Sequence, residues 1–371
     1  MPQARARYKD ASTGSANITK HIVADAAPSL LLVAVMLCLI FGGCCSNVYA
    51  LEAIINFDPA SGTLLTFVQF LFIAITSYAA QFDYTRPPFF IAPSKVPLKR
   101  WLVNITLFFS INVLNNHAFS YDISVPVHII LRSGGSITTM TAGYLYGKKY
   151  SQLQALAVVL LSCGVVLAAW SDAQAKTSLP ATNSTRPAFN MGLVVLFVAQ
   201  LLSAAMGLYT EATYRIYGPH WRENLFYSHL LSLPLFLPLA PAMIRTLDRM
   251  MQSEQIHVAL PLLSPGTAKS NLHIPTQALY LAINVLTQYA CIRGVNLLAA
   301  VSTALTVTIV LNIRKLASLL LSIWLFGNSL ATGTIIGAVI VFGSGALYSI
   351  GSRPKQTHEC SPSGDEHKKR Q

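Results

Sequence analysis

Charged residues are scarce in this chain. Asp, Glu, Lys and Arg make up 11% of its 371 residues, where a soluble protein carries about 25%. With 53% hydrophobic residues and a mean hydropathy of +0.51, that scarcity excludes an ordinary soluble domain and implies a polytopic membrane protein. Acidic residues are scarcer still: 14 stand against 26 Lys and Arg, for a net charge of +12. Nucleic acid would suit such a charge only on a solvated basic face. Here the Lys and Arg lie mostly in short loops and tails between apolar runs, so no nucleic-acid partner is expected.

Other absences narrow the chemistry. The chain has no Walker motif, no HExxH, no paired His/Cys ligands and no acidic pair on a sizeable soluble loop. The largest loop, roughly 245–274, carries Asp248 and Glu254 without catalytic companions. Neither an enzyme nor a metal or other cofactor is expected. Of the six cysteines, Cys38, Cys44, Cys45, Cys163 and Cys291 fall in apolar runs and Cys360 in the C-terminal tail. Nothing resembles a disulfide framework, and the cysteines in the spans read as small buried hydrophobes. The first apolar run follows a polar leader and is long enough to span, so no cleavable signal peptide is expected.

What is present is a series of ten apolar runs. They lie near 29–50, 63–82, 101–118, 125–147, 151–171, 189–213, 224–244, 275–293, 300–326 and 329–350. The fold class read from them is an all-α polytopic membrane protein with ten transmembrane helices. Residues 1–28 and 352–371 form tails around a ten-helix domain at 29–351, with halves near 29–172 and 189–351. An even count puts both termini on one side. That side carries eighteen of the 26 Lys and Arg and the opposite side five, with Arg132, Arg314 and Lys315 inside the spans. The positive-inside rule then makes both termini cytosolic. Ten spans divide into five plus five, and an odd half-count gives an inverted repeat with its site near the midplane. Arg132 lies 15 residues before Gly147 and Arg314 lies 13 before Gly327, a faint echo between the fourth and ninth spans.

Two short signals fit that topology. Asn183-Ser184-Thr185 is a glycosylation sequon in a loop assigned to the lumen. Lys368 and Lys369 stand four and three places from the C-terminus, as in a dilysine retrieval signal read by coat proteins. They point to the endoplasmic reticulum, with the Golgi as the alternative.

The ninth span holds the central feature. Arg314 and Lys315 are adjacent near the middle of the apolar run Ala300 to Phe326, which contains no acidic residue. Each such charge costs roughly 2.5 to 3.5 kcal/mol at the bilayer centre. Two adjacent cations at that depth imply a wet cavity that receives an anion. On the same helix, Thr308 and Asn312 share a stripe with Lys315, and Thr303 and Ser318 share one with Arg314. On the fourth span, His128, Arg132, Gly135, Ser136, Thr139 and Gly143 form one polar or small stripe. Tyr209 and Glu211 near the end of the sixth span, Tyr227 and His229 in the seventh, and Gln288 in the eighth complete the candidates. Glu211 has two readings, a site residue or a partner of Arg215 four places on. Tyr227 could stack on a base or anchor the helix at the interface.

Several of these residues sit in longer motifs. They include Asn115-Asn116-His117-Ala118 and Val125-Pro126-Val127-His128-Ile129-Ile130-Leu131-Arg132-Ser133-Gly134. They also include Met206-Gly207-Leu208-Tyr209-Thr210-Glu211, Leu225-Phe226-Tyr227-Ser228-His229 and Gln288-Tyr289-Ala290-Cys291-Ile292-Arg293-Gly294-Val295. Leu305-Thr306-Val307-Thr308 leads into Ile313-Arg314-Lys315. Together they resemble the UDP-N-acetylglucosamine/UDP-xylose branch of the nucleotide-sugar transporters, in the drug/metabolite transporter superfamily. The resemblance spans nearly all of 29–351 and places Asn116 among the substrate contacts. It implies an antiporter that brings UDP-N-acetylglucosamine into the lumen against UMP, with UDP-xylose as the nearest rival. An adenine-nucleotide exchanger of a sister branch and a non-transporting scaffold are the wider rivals. Phe226-Tyr227-Ser228-His229 resembles a Phe-Tyr-Asn-Asn segment that reads the base in related carriers, and departs from it at Ser228 and His229. The partners expected are the nucleotide sugar, the nucleoside monophosphate, the bilayer and a second copy in a homodimer.

Overall fold

The computed structural model describes residues 31–178, 189–259, 271–301 and 304–351. Both tails lie outside that range, as do Asn183, Lys368, Lys369 and the side chain of Thr308.

Helix dominates because apolar runs in a membrane must satisfy their backbone groups internally. The chain runs α1 (Leu31–Phe57), with one π-helical turn at Cys38–Gly42, then α2 (Gly62–Tyr78) and α3 (Leu98–His117). Next come α4 (Val125–Ser133) and α5 (Gly135–Leu145), followed by α6 (Gln152–Ser178) and α7 (Phe189–Tyr217). After α8 (Trp221–Leu230), a 3-10 stretch at Leu233–Leu239 leads into α9 (Ala240–Met251). The chain ends with α10 (Thr276–Val301), α11 (Ala304–Phe326) and α12 (Thr332–Gly351). Six helical stretches among the described residues are long and apolar enough to cross a membrane. The chain is a polytopic helical membrane protein.

Three features depart from a bundle of unbroken helices. The fourth run is not one helix: it breaks at Gly134 between α4 and α5. The carbonyl of Leu131 accepts from Gln200 Nε2 at 3.0 Å as well as from the Gly134 amide, so a side chain from α7 helps to satisfy the backbone at the break. The seventh run breaks as well, because Pro238 lies inside the 3-10 stretch and cannot donate to a helix ladder. The all-α description also needs amending. A two-stranded antiparallel hairpin, β1 (Gln255–Ala259) and β2 (Asn271–Pro275), stands between α9 and α10. Gln255 pairs with Pro275 and His257 with His273.

The helices pack in a definite set of neighbours. α1 lies along α10, α3 along α7, α2 along α8, α5 along α7, α1 along α11, and α6 along α12. Phe70, Phe236 and Met250 centre one buried cluster, and Ile130, Leu161 and Leu319 another. The α6–α12 contact is the most extensive, and glycine brings its backbones together. A Cβ on Gly337 would stand 2.6 Å from the Gly164 carbonyl oxygen and 2.8 Å from the Ala168 Cβ. Small residues let backbones approach where lipid offers no hydrophobic drive.

Gly337→Val should therefore lower the melting temperature of detergent-purified protein, by a loss of about 1–3 kcal/mol for overpacking. Gly343→Ala, on the same helix with open space at its Cβ, should leave the melt unchanged. Equal melts for both variants would contradict this account of the crossing.

Candidate functional site

Five helices, and the turn after α3, surround one cavity of about 390 Å³, within the range of small-molecule sites. α1 supplies Asn47, Val48 and Leu51, and α3 supplies Asn116. α4 supplies Val125, His128, Ile129 and Arg132, α10 supplies Gln288, and α11 supplies Arg314, Lys315 and Ser318. The three intramembrane cations of the sequence thus converge from two helices far apart in the chain.

Each wall is positioned by identifiable bonds. Asn116 donates its amide to Thr66 Oγ1 at 2.7 Å, which ties the end of α3 to α2. His128 is buried, with Nε2 3.0 Å from the Asn115 carbonyl and its ring 4.2 Å from that of Phe119. That contact fixes α4 against the end of α3. Asn47 and Asn284 exchange side-chain to backbone bonds at 2.8 and 3.1 Å, and Gln69 donates to Asn284 at 2.8 Å. This network ties α1, α2 and α10 together behind the cavity.

The electrostatics are one-sided. Arg132, Arg314 and Lys315 lie close enough for Arg132 to repel both of the others. Among the described residues none of the three has a carboxylate partner. Arg314 has Nη1 3.1 Å from Cys44 Sγ and 3.5 Å from Cys291 Sγ. Its Nε is buried with no hydrogen-bond partner. A buried donor left unpaired is costly, and an anion in the cavity could take it up.

The sulfurs themselves correct the sequence reading. Cys44 and Cys291 are bonded to each other, with Cα atoms 5.2 Å apart, joining α1 to α10. Their 247-residue separation hides the pair, and two apolar helices give no spacing pattern from which a disulfide can be read.

The candidate residues divide between this cavity and other places. Asn116, His128, Arg132, Gln288, Arg314 and Lys315 share it. Asn312 faces a separate space of about 70 Å³ with Ser136, Ser344 and Tyr348. Tyr227 packs beside Val96, Trp101 and Ile105. His229 is buried between Phe70 and Phe108, at 4.8 and 4.9 Å between rings, with Nδ1 2.7 Å from the Leu225 carbonyl. Ser228 bonds Asn224 and Asn104. Tyr209 meets the Arg100 guanidinium at 5.5 Å. Glu211 pairs with Lys148 at 2.5 Å, which replaces Arg215 as its partner. Lys148 is 63 residues distant, beyond any helix-face rule. Asn47 was missed by sequence reasoning, although an Asn on an otherwise apolar helix is a usable signal.

The relatives of the chain bear on what such a cavity serves. Residues 32–352 match the UAA transporter family. The chain belongs to that family. A UDP-N-acetylglucosamine transporter of Schizosaccharomyces pombe is 46% identical over 328 residues, covering 87% of this chain and 98% of its own length. An endoplasmic reticulum GDP-fucose transporter of Drosophila melanogaster is 38% identical over 320 residues, covering 84% and 88%. A UDP-xylose and UDP-N-acetylglucosamine transporter of Danio rerio is 36% identical over 317 residues, covering 84% and 92%. This carrier is thus a nucleotide-sugar transporter and not an enzyme.

Alkylation should test the bridge within the carrier. Denatured, unreduced protein should leave two cysteines unmodified, and peptide mapping should identify them as Cys44 and Cys291. Reduction should expose both. Full modification without reductant would show the pair to be free thiols.

Proposed function

We propose that the carrier moves UDP-N-acetylglucosamine from cytosol to lumen in exchange for UMP, with both termini cytosolic, in the membrane of the endoplasmic reticulum. The observation that carries this reading is the set of three uncompensated cations around one cavity. A nucleoside monophosphate brings about −1.5 to −2 charges by analogy with other phosphoesters, and the diphosphate of a nucleotide sugar brings about two. Either anion suits three cations. The substrate and compartment are supported by the relatives named UDP-N-acetylglucosamine transporter and endoplasmic reticulum GDP-fucose transporter. UDP-xylose is the second reading, favoured by the name of the Danio rerio relative.

The proposed architecture is ten spans in two inverted halves. Counting α4 with α5 as the fourth rod and α8 with α9 as the seventh gives rods one to ten in chain order. The packing supports the division. Advance each rod by five, and the α1–α10 contact becomes α7–α3, and α1–α11 becomes the contact of α7 with α5. The α6–α12 and α2–α8 contacts map onto themselves. A duplicated half predicts such a pattern, and five spans per half invert it.

Exchange follows from the same charges. An empty site leaves three cations uncompensated in a closing cavity, where an unpaired charge is costly. Binding of either anion removes that penalty and permits the rocking step.

The test is uptake by purified carrier in liposomes preloaded with UMP, with labelled UDP-N-acetylglucosamine, UDP-xylose and ATP offered separately. Uptake of the first should require internal UMP and fall at least tenfold in Lys315→Ala. Uptake without internal nucleotide would overturn the exchange. Absence of uptake by folded protein would overturn the transport reading and favour a scaffold.

A further inference from the structure

Two carboxylates outside the cavity occupy matching places in the two halves. Glu52 lies near the C-terminal end of α1, and Glu211 near that of α7. Each is followed by Ala, and each is preceded within three residues by a tyrosine, Tyr49 or Tyr209. Each binds across to the other half. Glu52 accepts from Ser322 Oγ on α11 and from Asn328 Nδ2 at 2.5 Å. Glu211 accepts from Lys148 Nζ at 2.5 Å.

The partners match too. Asn328 directly follows Gly327, which ends the run of α11 at φ +62°, and Lys148 directly follows Gly147, which ends that of α5 at φ +88°. The tyrosines repeat the arrangement. Tyr49 meets Tyr280 in the first turns of α10 at 5.9 Å, and Tyr209 meets Arg100 in the first turn of α3 at 5.5 Å. Tyr49 also packs on Phe326 at 5.4 Å. Rod one thus touches rods eight and nine at one end as rod six touches rods three and four at the other.

We infer that Glu52 and Glu211 are gating residues, each latching one mouth of the carrier: Glu52 with Asn328 and Ser322 on the lumenal side, and Glu211 with Lys148 on the cytosolic side. This rests on the topology and the rocking exchange proposed above. Both latches join one half to the other, so rocking of the halves must break one latch while the other holds. In this structure both are closed.

The latches are unequal. Glu52 is 2% exposed and accepts from two neutral donors, so its bonds form away from water. The Glu211 and Lys148 side chains are 62% and 38% exposed, and a solvated pair of that kind is weak and screened by salt. The lumenal latch is therefore the tighter one, and the carrier at rest favours a closed lumenal mouth.

The test reads which face reaches the cavity, without relying on substrate. Gln288→Cys serves as the probe, in the full chain with Cys38, Cys45, Cys163 and Cys360 replaced by Ser. An impermeant maleimide is applied to sealed vesicles of known orientation, from the cytosolic and then the lumenal face. Glu52→Ala should raise lumenal labelling at least threefold, and Asn328→Asp, which sets two carboxylates together, should do the same if Glu52→Ala folds poorly. Glu211→Lys should raise cytosolic labelling, by less than the lumenal gain, and adding Lys148→Glu should restore the parent rate. Labelling within twofold of the parent from both faces in all these variants would overturn the gate assignment. Exchange in UMP-loaded liposomes by protein with an intact latch reads the transport proposal separately.

Discussion

Three cations share one cavity inside an apolar bundle with no carboxylate partner among the described residues, and the rest of the structure answers to that fact. Each costs a few kcal/mol to bury at membrane depth, and their mutual repulsion adds to it. Such an arrangement survives only if the surrounding helices hold it rigidly and if something anionic visits. The helices hold it by cross-chain ties. His128 is anchored to the Asn115 carbonyl, Asn47 is locked to Asn284, and the Cys44–Cys291 bridge lies beside the Arg314 guanidinium. The proposed visitor is a nucleotide sugar, as in the names of the relatives.

The same cavity explains why the outer contacts are built as they are. Wherever the helices have no need to part, glycine brings them together, as at Gly164 and Gly337. The contacts that join the halves near the ends of α1 and α7 are of another kind. Each centres on a single carboxylate with polar partners, which water can replace when a mouth opens, beside one tyrosine contact. A bundle glued by backbone approach in one place and by replaceable hydrogen bonds in another is suited to rigid-body rocking.

Much of this was legible in the chain. The apolar runs gave the helices, because length and hydropathy suffice for that. Arg132, Arg314 and Lys315 stood out because charge in an apolar run is expensive wherever it occurs. Their convergence was not legible, since α4 and α11 are distant in sequence and no periodicity reports a contact between helices. The same limit hid the Cys44–Cys291 bridge and the Glu211–Lys148 pair. Helix-face arithmetic overreached for Asn312, which shares a stripe with Lys315 yet faces a different space. The partner that helps to satisfy the break at Gly134 was hidden for a related reason, because it is a Gln200 side chain from another helix.

The most direct test of the central claim is binding rather than transport. Purified carrier should be titrated with UMP, UDP and uridine and its melting temperature followed. If the cations form the anion site, UMP and UDP should raise the melting temperature in a manner that added salt weakens, and uridine at the same concentration should leave it nearly unchanged. Arg132→Gln should abolish the nucleotide effect. Equal stabilisation by uridine and UMP, or a nucleotide effect that survives the loss of Arg132, would mean that the cavity reads something other than phosphate.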